Sequence, residues 1–164
     1  MFVRAFEPFK KLVDRIKELM ASKPSKVSQP VSRVIYLSNL LKRLNKFGKF
    51  KCSIIAAENG LLMAEAGDGV EDEFTGALAA MSSLGYETAL RVGAFLSMGE
   101  LENIKINTEG SILILKPIKI PPDVFLLGVL STSFPKSRQK HIKKLLRIAG
   151  ERIEKAFISP ESLT

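Results

Sequence analysis

Residues 50 to 66 constrain the fold more than any other stretch of the chain. Two apolar, β-prone runs, Phe50 to Ala57 and Leu61 to Ala66, are separated by Asn59-Gly60, the dipeptide best suited to the positive backbone angles of a tight turn. They predict an antiparallel hairpin. Directly after it, Gly67-Asp68-Gly69 leads into Glu71, Asp72 and Glu73, three carboxylates where a helix dipole favours negative charge. Asp68 with Glu71 three residues on predicts a reciprocal cap, and a helix over Glu71 to Leu96. The hairpin therefore feeds a long helix with almost no slack.

Around this centre the remaining pattern predicts further elements. An amphipathic helix over residues 1–21 carries Phe2, Phe6, Phe9, Val13, Ile16 and Met20 at helical spacing, with Pro8 placing its regular start near Glu7. Residues 22–30, with two prolines and three serines, have linker chemistry. Residues 31 to 47 form a helix with Val34, Leu37, Leu41 and Leu44 on one face, stopped by Gly48. Strands follow the long helix at Leu101 to Asn107 and Ser111 to Lys116, and at Val124 to Ser131 after Pro121-Pro122-Asp123. A basic helix over residues 136 to 157 closes the domain, with Ile142, Leu145, Leu146, Ala149, Ile153, Ala156 and Phe157 on its apolar side. The expected organisation is an N-terminal helix, a linker, one domain over 31–158 and a tail over 159–164.

Composition excludes several classes. With 164 residues, 46% apolar and 26% charged, the chain has the balance of one folded domain with an added arm. No apolar run reaches the roughly 18 residues of a spanning helix, and Met1 to Pro8 lacks the character of a secretory signal. Cys52 is the only cysteine, so no internal disulfide forms and a reducing cytoplasm is expected.

The net charge of +8 conceals a bipolar distribution. Residues 1 to 51 hold 13 Lys and Arg against 3 Asp and Glu, residues 52 to 110 hold 2 against 10, and residues 111 to 164 hold 10 against 4. A uniformly basic nucleic-acid binder would not carry so acidic a middle.

Catalytic chemistry is hard to assemble from these residues. His141, the sole histidine, sits among Lys140, Lys143 and Lys144, which oppose its protonation, and reads as a solvated helix-face residue. Cys52 and His141 offer no metal-ligand cluster, and Cys52 reads as a small core residue. Gly67-Asp68-Gly69 lacks the ending of a phosphate loop and is surrounded by carboxylates. Glu58 and Glu65 flank the hairpin as solvated charges, and Arg91 reads as the pairing partner of Glu87 one turn earlier. No cofactor, metal or enzymatic activity is expected.

The order helix, two strands, helix, three strands, helix, the hairpin Ala56-Ala-Glu-Asn-Gly-Leu-Leu-Met-Ala-Glu-Ala-Gly67, the small-residue middle helix and Ile104-Lys-Ile-Asn-Thr-Glu-Gly-Ser-Ile-Leu-Ile-Leu115 together resemble a roadblock domain of the archaeal or bacterial type. The resemblance covers residues 31 to 157. It implies an α/β (α+β) fold: a profilin-like five-stranded antiparallel sheet with the middle helix on one face and the flanking helices on the other. It also implies a homodimeric regulatory platform for a small Ras-like GTPase, with the strand Leu101 to Asn107 at a sheet edge.

Under that resemblance the middle helix gains a purpose. Gly76, Ala77, Ala79, Ala80, Ser82, Ser83, Gly85, Ala89, Gly93 and Ala94 crowd into it, and each interior glycine costs roughly 1 kcal/mol against alanine. Either a second helix approaches closely or the helix packs tightly on its own sheet. Phe74, Leu78 and Met81 are expected to face the sheet, leaving the small residues for a partner. The expected dimer interface is Gly76, Ala80, Ser83, Ala89, Leu101, Asn103 and Lys105, and the expected GTPase contacts are Glu71, Asp72, Glu73 and Glu87. The N-terminal helix is expected to pack on its own domain, the dimer mate, a membrane surface or another protein.

Two other classes stay open from the residues: a small-molecule sensor of the PAS or GAF type, and a polyanion binder using Lys42, Arg43, Lys46, Lys49 and Lys51 with Lys136 to Lys144. No aromatic residues interleave those lysines for base stacking, so no specific nucleic acid is expected.

Overall fold

The computed structural model describes residues 33–132 and 135–159. The expected N-terminal helix, the linker and all of the tail but Ser159 lie outside the described residues. The elements run α1 (Arg33–Gly48), β1 (Cys52–Ala57), β2 (Leu62–Gly67), α2 (Asp72–Phe95), β3 (Ile104–Asn107), β4 (Ile112–Ile120), β5 (Asp123–Ser131), a 3-10 turn over Lys136–Arg138, and α3 (Gln139–Ile158). The five strands form one antiparallel sheet in the order β2-β1-β5-β4-β3, so β2 and β3 are its edges. That is the sheet the resemblance implies.

Strand parity divides the core into two layers. Cys52, Ile54 and Ala56 of β1 and Leu126 of β5 pack with Leu78, Ala79 and Tyr86 of α2 on one face. The residues between them point the other way, where α1 and α3 lie against the sheet and each other. There Ser53 donates to the Leu41 carbonyl at 3.5 Å, and Phe125 stacks on Phe157 of α3 with centroids 4.1 Å apart. Gly128 sits at the centre of the α2 face. A Cβ there would lie 3.1 Å from Ile54 Cγ1 and 3.3 Å from Leu115 Cδ2, so only glycine lets the side chains of β1 and β4 close over β5.

Local expectations mostly hold, and their failures have physical causes. α1 buries Leu37, Leu40, Leu41 and Leu44, while Val34 in its first turn is exposed. The hairpin turn is a type I turn over Ala57 to Gly60, closed by the Gly60 N–H donating to the Ala57 carbonyl at 2.9 Å. Only Gly60 takes a positive φ, while Asn59 accepts the Leu61 N–H on its side chain at 3.1 Å.

The predicted Asp68–Glu71 cap does not form. The turn at Gly69, with φ +68°, runs on through Val70, which packs on the core, so the helix starts late with Glu71 itself at the cap position and no side-chain cap. β4 extends to Ile120, beyond the predicted Lys116, straight through Pro117. β3 pairs with β4 only as far as Leu115, so past that point β4 has a free side where a missing N–H breaks no ladder. Among the described residues no helix is long and apolar enough to cross a membrane.

Candidate functional site: the open face of helix α2

Helix α2 overturns one expectation in part: Leu78 faces the sheet as expected, but Phe74 and Met81 do not. The residues against the sheet are Thr75, Leu78, Ala79, Ser82 and Tyr86, while Phe74 is 46% and Met81 63% exposed. Small residues stand beside Leu78 and Tyr86 on the inward face where Ile54, Leu115 and Leu126 fill the sheet beneath; a Cβ on Gly85 would already touch Leu115 at 3.6 Å. Phe74 and Met81 are turned outward instead.

Their spacing is ordered. Phe74, Ala77, Met81, Leu84, Thr88, Arg91 and Phe95 recur at 3, 4, 3, 4, 3, 4 and are all exposed, Leu84 by 59% and Phe95 by 88%. That is the 3.5-residue repeat of a helix that packs along another helix. The same spacing is visible in the sequence, where Phe74 and Met81 also fit a sheet-facing stripe with Leu78. Leu96 and Met98 extend the exposed apolar surface beyond the helix end.

The expected interface residues fall into three places. Gly76, Ala80 and Ser83 flank the seam at the N-terminal half of α2, Gly76 with open space above it. Ala80 and Ser83 also serve their own chain, since the backbone of Gly60 passes over them and the Ser83 hydroxyl donates to the Glu58 carbonyl. Ala89, Leu101 and Asn103 come together, with Val92 and Met98, around a shallow groove of about 560 Å³ between the C-terminal half of α2 and the loop before β3.

Lys105 does not line that groove; with Leu101 and Asn103 it lines a second one on the α3 side. The strand is Ile104–Asn107 rather than Leu101 to Asn107. Ile104 turns toward the α2 core and Lys105 toward the opposite, α3 side.

The acidic residues are likewise split. Glu71 caps the helix and Asp72 and Glu73 occupy its first turn, all exposed. Glu87 is roughly 21 Å further along the axis than Glu73, at about 1.5 Å per residue. It is engaged by Arg91 at 2.5 Å, the pairing expected from their spacing.

Groups with reactive potential are held inert. Cys52 is fully buried, and burial followed by the nearby Glu65 carboxylate pushes its thiol pKa up, away from the thiolate. Tyr86 is raised in the same way by burial and then Glu58. His141 is not a solvated residue: it is 7% exposed at the junction of α3 with α1. Burial lowers its pKa, with Arg138 adding to the effect, against a hydrogen bond to the Phe47 backbone that raises it. Among the described residues no group of three or more His, Cys, Asp or Glu could hold a metal ion.

No family model matches the chain, and no curated protein matches it in sequence. Solved structures do. A Roadblock/LC7 domain from Streptomyces avermitilis matches with a TM-score of 0.64 at 13% identity, covering 74% of this chain and 98% of that one. MglB of Myxococcus xanthus matches with a TM-score of 0.62 at 18% identity, over 75% of this chain and 95% of that one. A GAF domain of A. aeolicus nlh2 is more distant, with a TM-score of 0.53 at 14% identity over 90% and 93% of the two chains. At such identities the likeness speaks for the fold alone. Five antiparallel strands in this order, one helix on one face, two on the other and these likenesses together give the chain a roadblock fold.

Proposed function

We propose that this protein is a non-catalytic, homodimeric module that binds a small Ras-like GTPase, or a complex containing one, and regulates or scaffolds it. The observation that carries the reading is the 3-4 seam of α2, exposed among the described residues, beside β3 at the edge of the sheet. A two-fold axis through that face lets the seam meet its own copy while two β3 strands pair, which removes apolar side chains and unpaired backbone groups from water together. Gly76, Ala80 and Ser83 beside the seam allow close approach, and the groove at Ala89, Leu101 and Asn103 can take a side chain from the other copy. Lys105 then lies next to the pairing edge rather than in the seam.

On such a dimer the two α2 helices form a shallow platform edged by Glu71, Asp72, Glu73 and Glu87. Exposed rim charges of this kind act mainly on association rate, each worth roughly 0.5 to 1 kcal/mol. The test is stopped-flow mixing with a Ras-like GTPase from the same organism, loaded with a non-hydrolysable GTP analogue or GDP. Glu73→Lys with Glu87→Lys slows association and leaves dimerisation intact, while Lys143→Glu with Lys144→Glu has little effect. The opposite pattern places the GTPase on the α3 side and defeats the reading. The likeness to a GAF domain favours one alternative, a small-molecule sensor, which predicts a ligand retained through purification and visible by native mass spectrometry.

A further inference from the structure

We propose that the groove between α3 and the β3–β4 edge is a docking site for an acidic peptide segment of a partner protein. It lies on the sheet face opposite α2 and has a volume of about 770 Å³. Its walls are cationic on both sides, with Lys105, Lys116 and Lys119 from the sheet and Lys140, Lys143 and Arg147 from α3. Its floor is apolar, made by Ile114, Pro117, Ile142 and Leu146. The first turn of α3 contains no acidic residue and its N-cap makes no side-chain bond, so the positive helix end adds to the same field.

The chain itself demonstrates which groups the walls accept. Two carboxylates from the loop before β3 already reach across, Glu100 to Lys119 at 3.5 Å and Glu102 to Lys143 at 3.6 Å. Both are highly exposed pairs of the kind that contribute little and are readily exchanged for another carboxylate. Lys105, Lys116 and Lys140 have no ion-pair partner among the described residues. Lys116 is held in place by its stem, whose Cε would lie 3.2 Å from a Cβ on Gly150.

An apolar floor between cationic walls matches a segment that alternates acidic and apolar side chains. It matches other anions less well. No aromatic side chain lines the groove to stack a base, and a concave slot presents its lysines to a ribbon rather than to a flat lipid surface. The site does not rest on the GTPase reading, since its cationic walls face away from α2, although Leu101 and Asn103 line both this groove and the one beside α2.

The test uses the full chain and fluorescence anisotropy with a short fluorescein-labelled peptide in which Glu and Asp are interspersed with Leu. Phosphatidylserine vesicles and single-stranded oligothymidylate are the competing probes. Saturable peptide binding is expected, weakening with salt. Lys116→Glu with Lys140→Glu raises Kd by roughly tenfold or more, while Lys42→Glu with Lys46→Glu on α1 changes it by less than about twofold. Lys105→Glu with Lys140→Glu, both on exposed positions, gives the same loss if the first pair misfolds. Equal loss from the α1 pair, or groove-dependent binding of vesicles or oligothymidylate in place of the peptide, overturns the proposal.

Discussion

The two faces of the sheet are finished to different degrees. On the α1 and α3 side, nine residues of α3 and five of α1 are buried, and two helices cover the sheet together. On the other side α2 is 24 residues long yet buries only five, and Phe74, Met81, Leu84 and Phe95 point to solvent. The first is a complete core. On the second, among the described residues, the outward side of the helix is left exposed. Fold stability should therefore depend on the first face and association on the second.

The largest expected effect on folding comes from the finished face. Ile153→Ala or Leu145→Ala, each essentially without solvent exposure, should cost about 2 to 5 kcal/mol in chemical denaturation. Leu84→Ala, measured below the dissociation concentration, should change stability by less than about 0.5 kcal/mol. Equal costs would mean that α2 is packed in the protomer as fully as α3.

Glycines give a sharper contrast. Gly128→Ala pushes a methyl group into Ile54 and Leu115, with an expected cost of about 1 to 3 kcal/mol. Gly76→Ala meets nothing within 4 Å among the described residues and should stabilise the protomer by roughly 0.5 to 1 kcal/mol through helix propensity. If a second α2 helix approaches at Gly76, the same methyl group weakens the dimer. A sedimentation series on G76A separates the two effects.

The smallest expected effect is titration of His141. Burial lowers its pKa below the ordinary 6.5, so the folded state prefers the neutral ring. The unfolded chain takes up a proton first as pH falls, and stability is therefore full above about pH 7 and declines as pH drops through the unfolded value. His141→Gln should flatten the melting temperature between pH 7 and 5 relative to the parent protein. A parent melt that is already flat there removes His141 from the account.

These contrasts also mark what the sequence could disclose. Element order, the hairpin, the late helix and the apolar side of α3 follow from periodicity and turn chemistry, which are local. The inward face of α2 does not, because it depends on how much room Ile54, Leu115 and Leu126 leave beneath it, a non-local quantity. Leu78 faces the sheet as its spacing suggests, whereas Phe74 and Met81 do not, and with Ala77 and Leu84 they keep a 3-4 spacing that is legible in the sequence. His141 misled for the same reason: its lysine neighbours in sequence are solvated, whereas the ring itself turns onto α1. The basic groove was legible only as charge, since nothing local says that Lys105 and Lys116 face Lys140 across a slot.

The central claim is that α2 is an unfinished surface completed by a second copy. Sedimentation velocity of the full chain at micromolar concentration, beside Met81→Arg with Leu84→Arg, tests it most directly. The account predicts a parent protein at twice the chain mass and a folded, monomeric double variant with an unchanged circular dichroism spectrum. A parent protein that sediments as a monomer, or a double variant that remains dimeric, would contradict it.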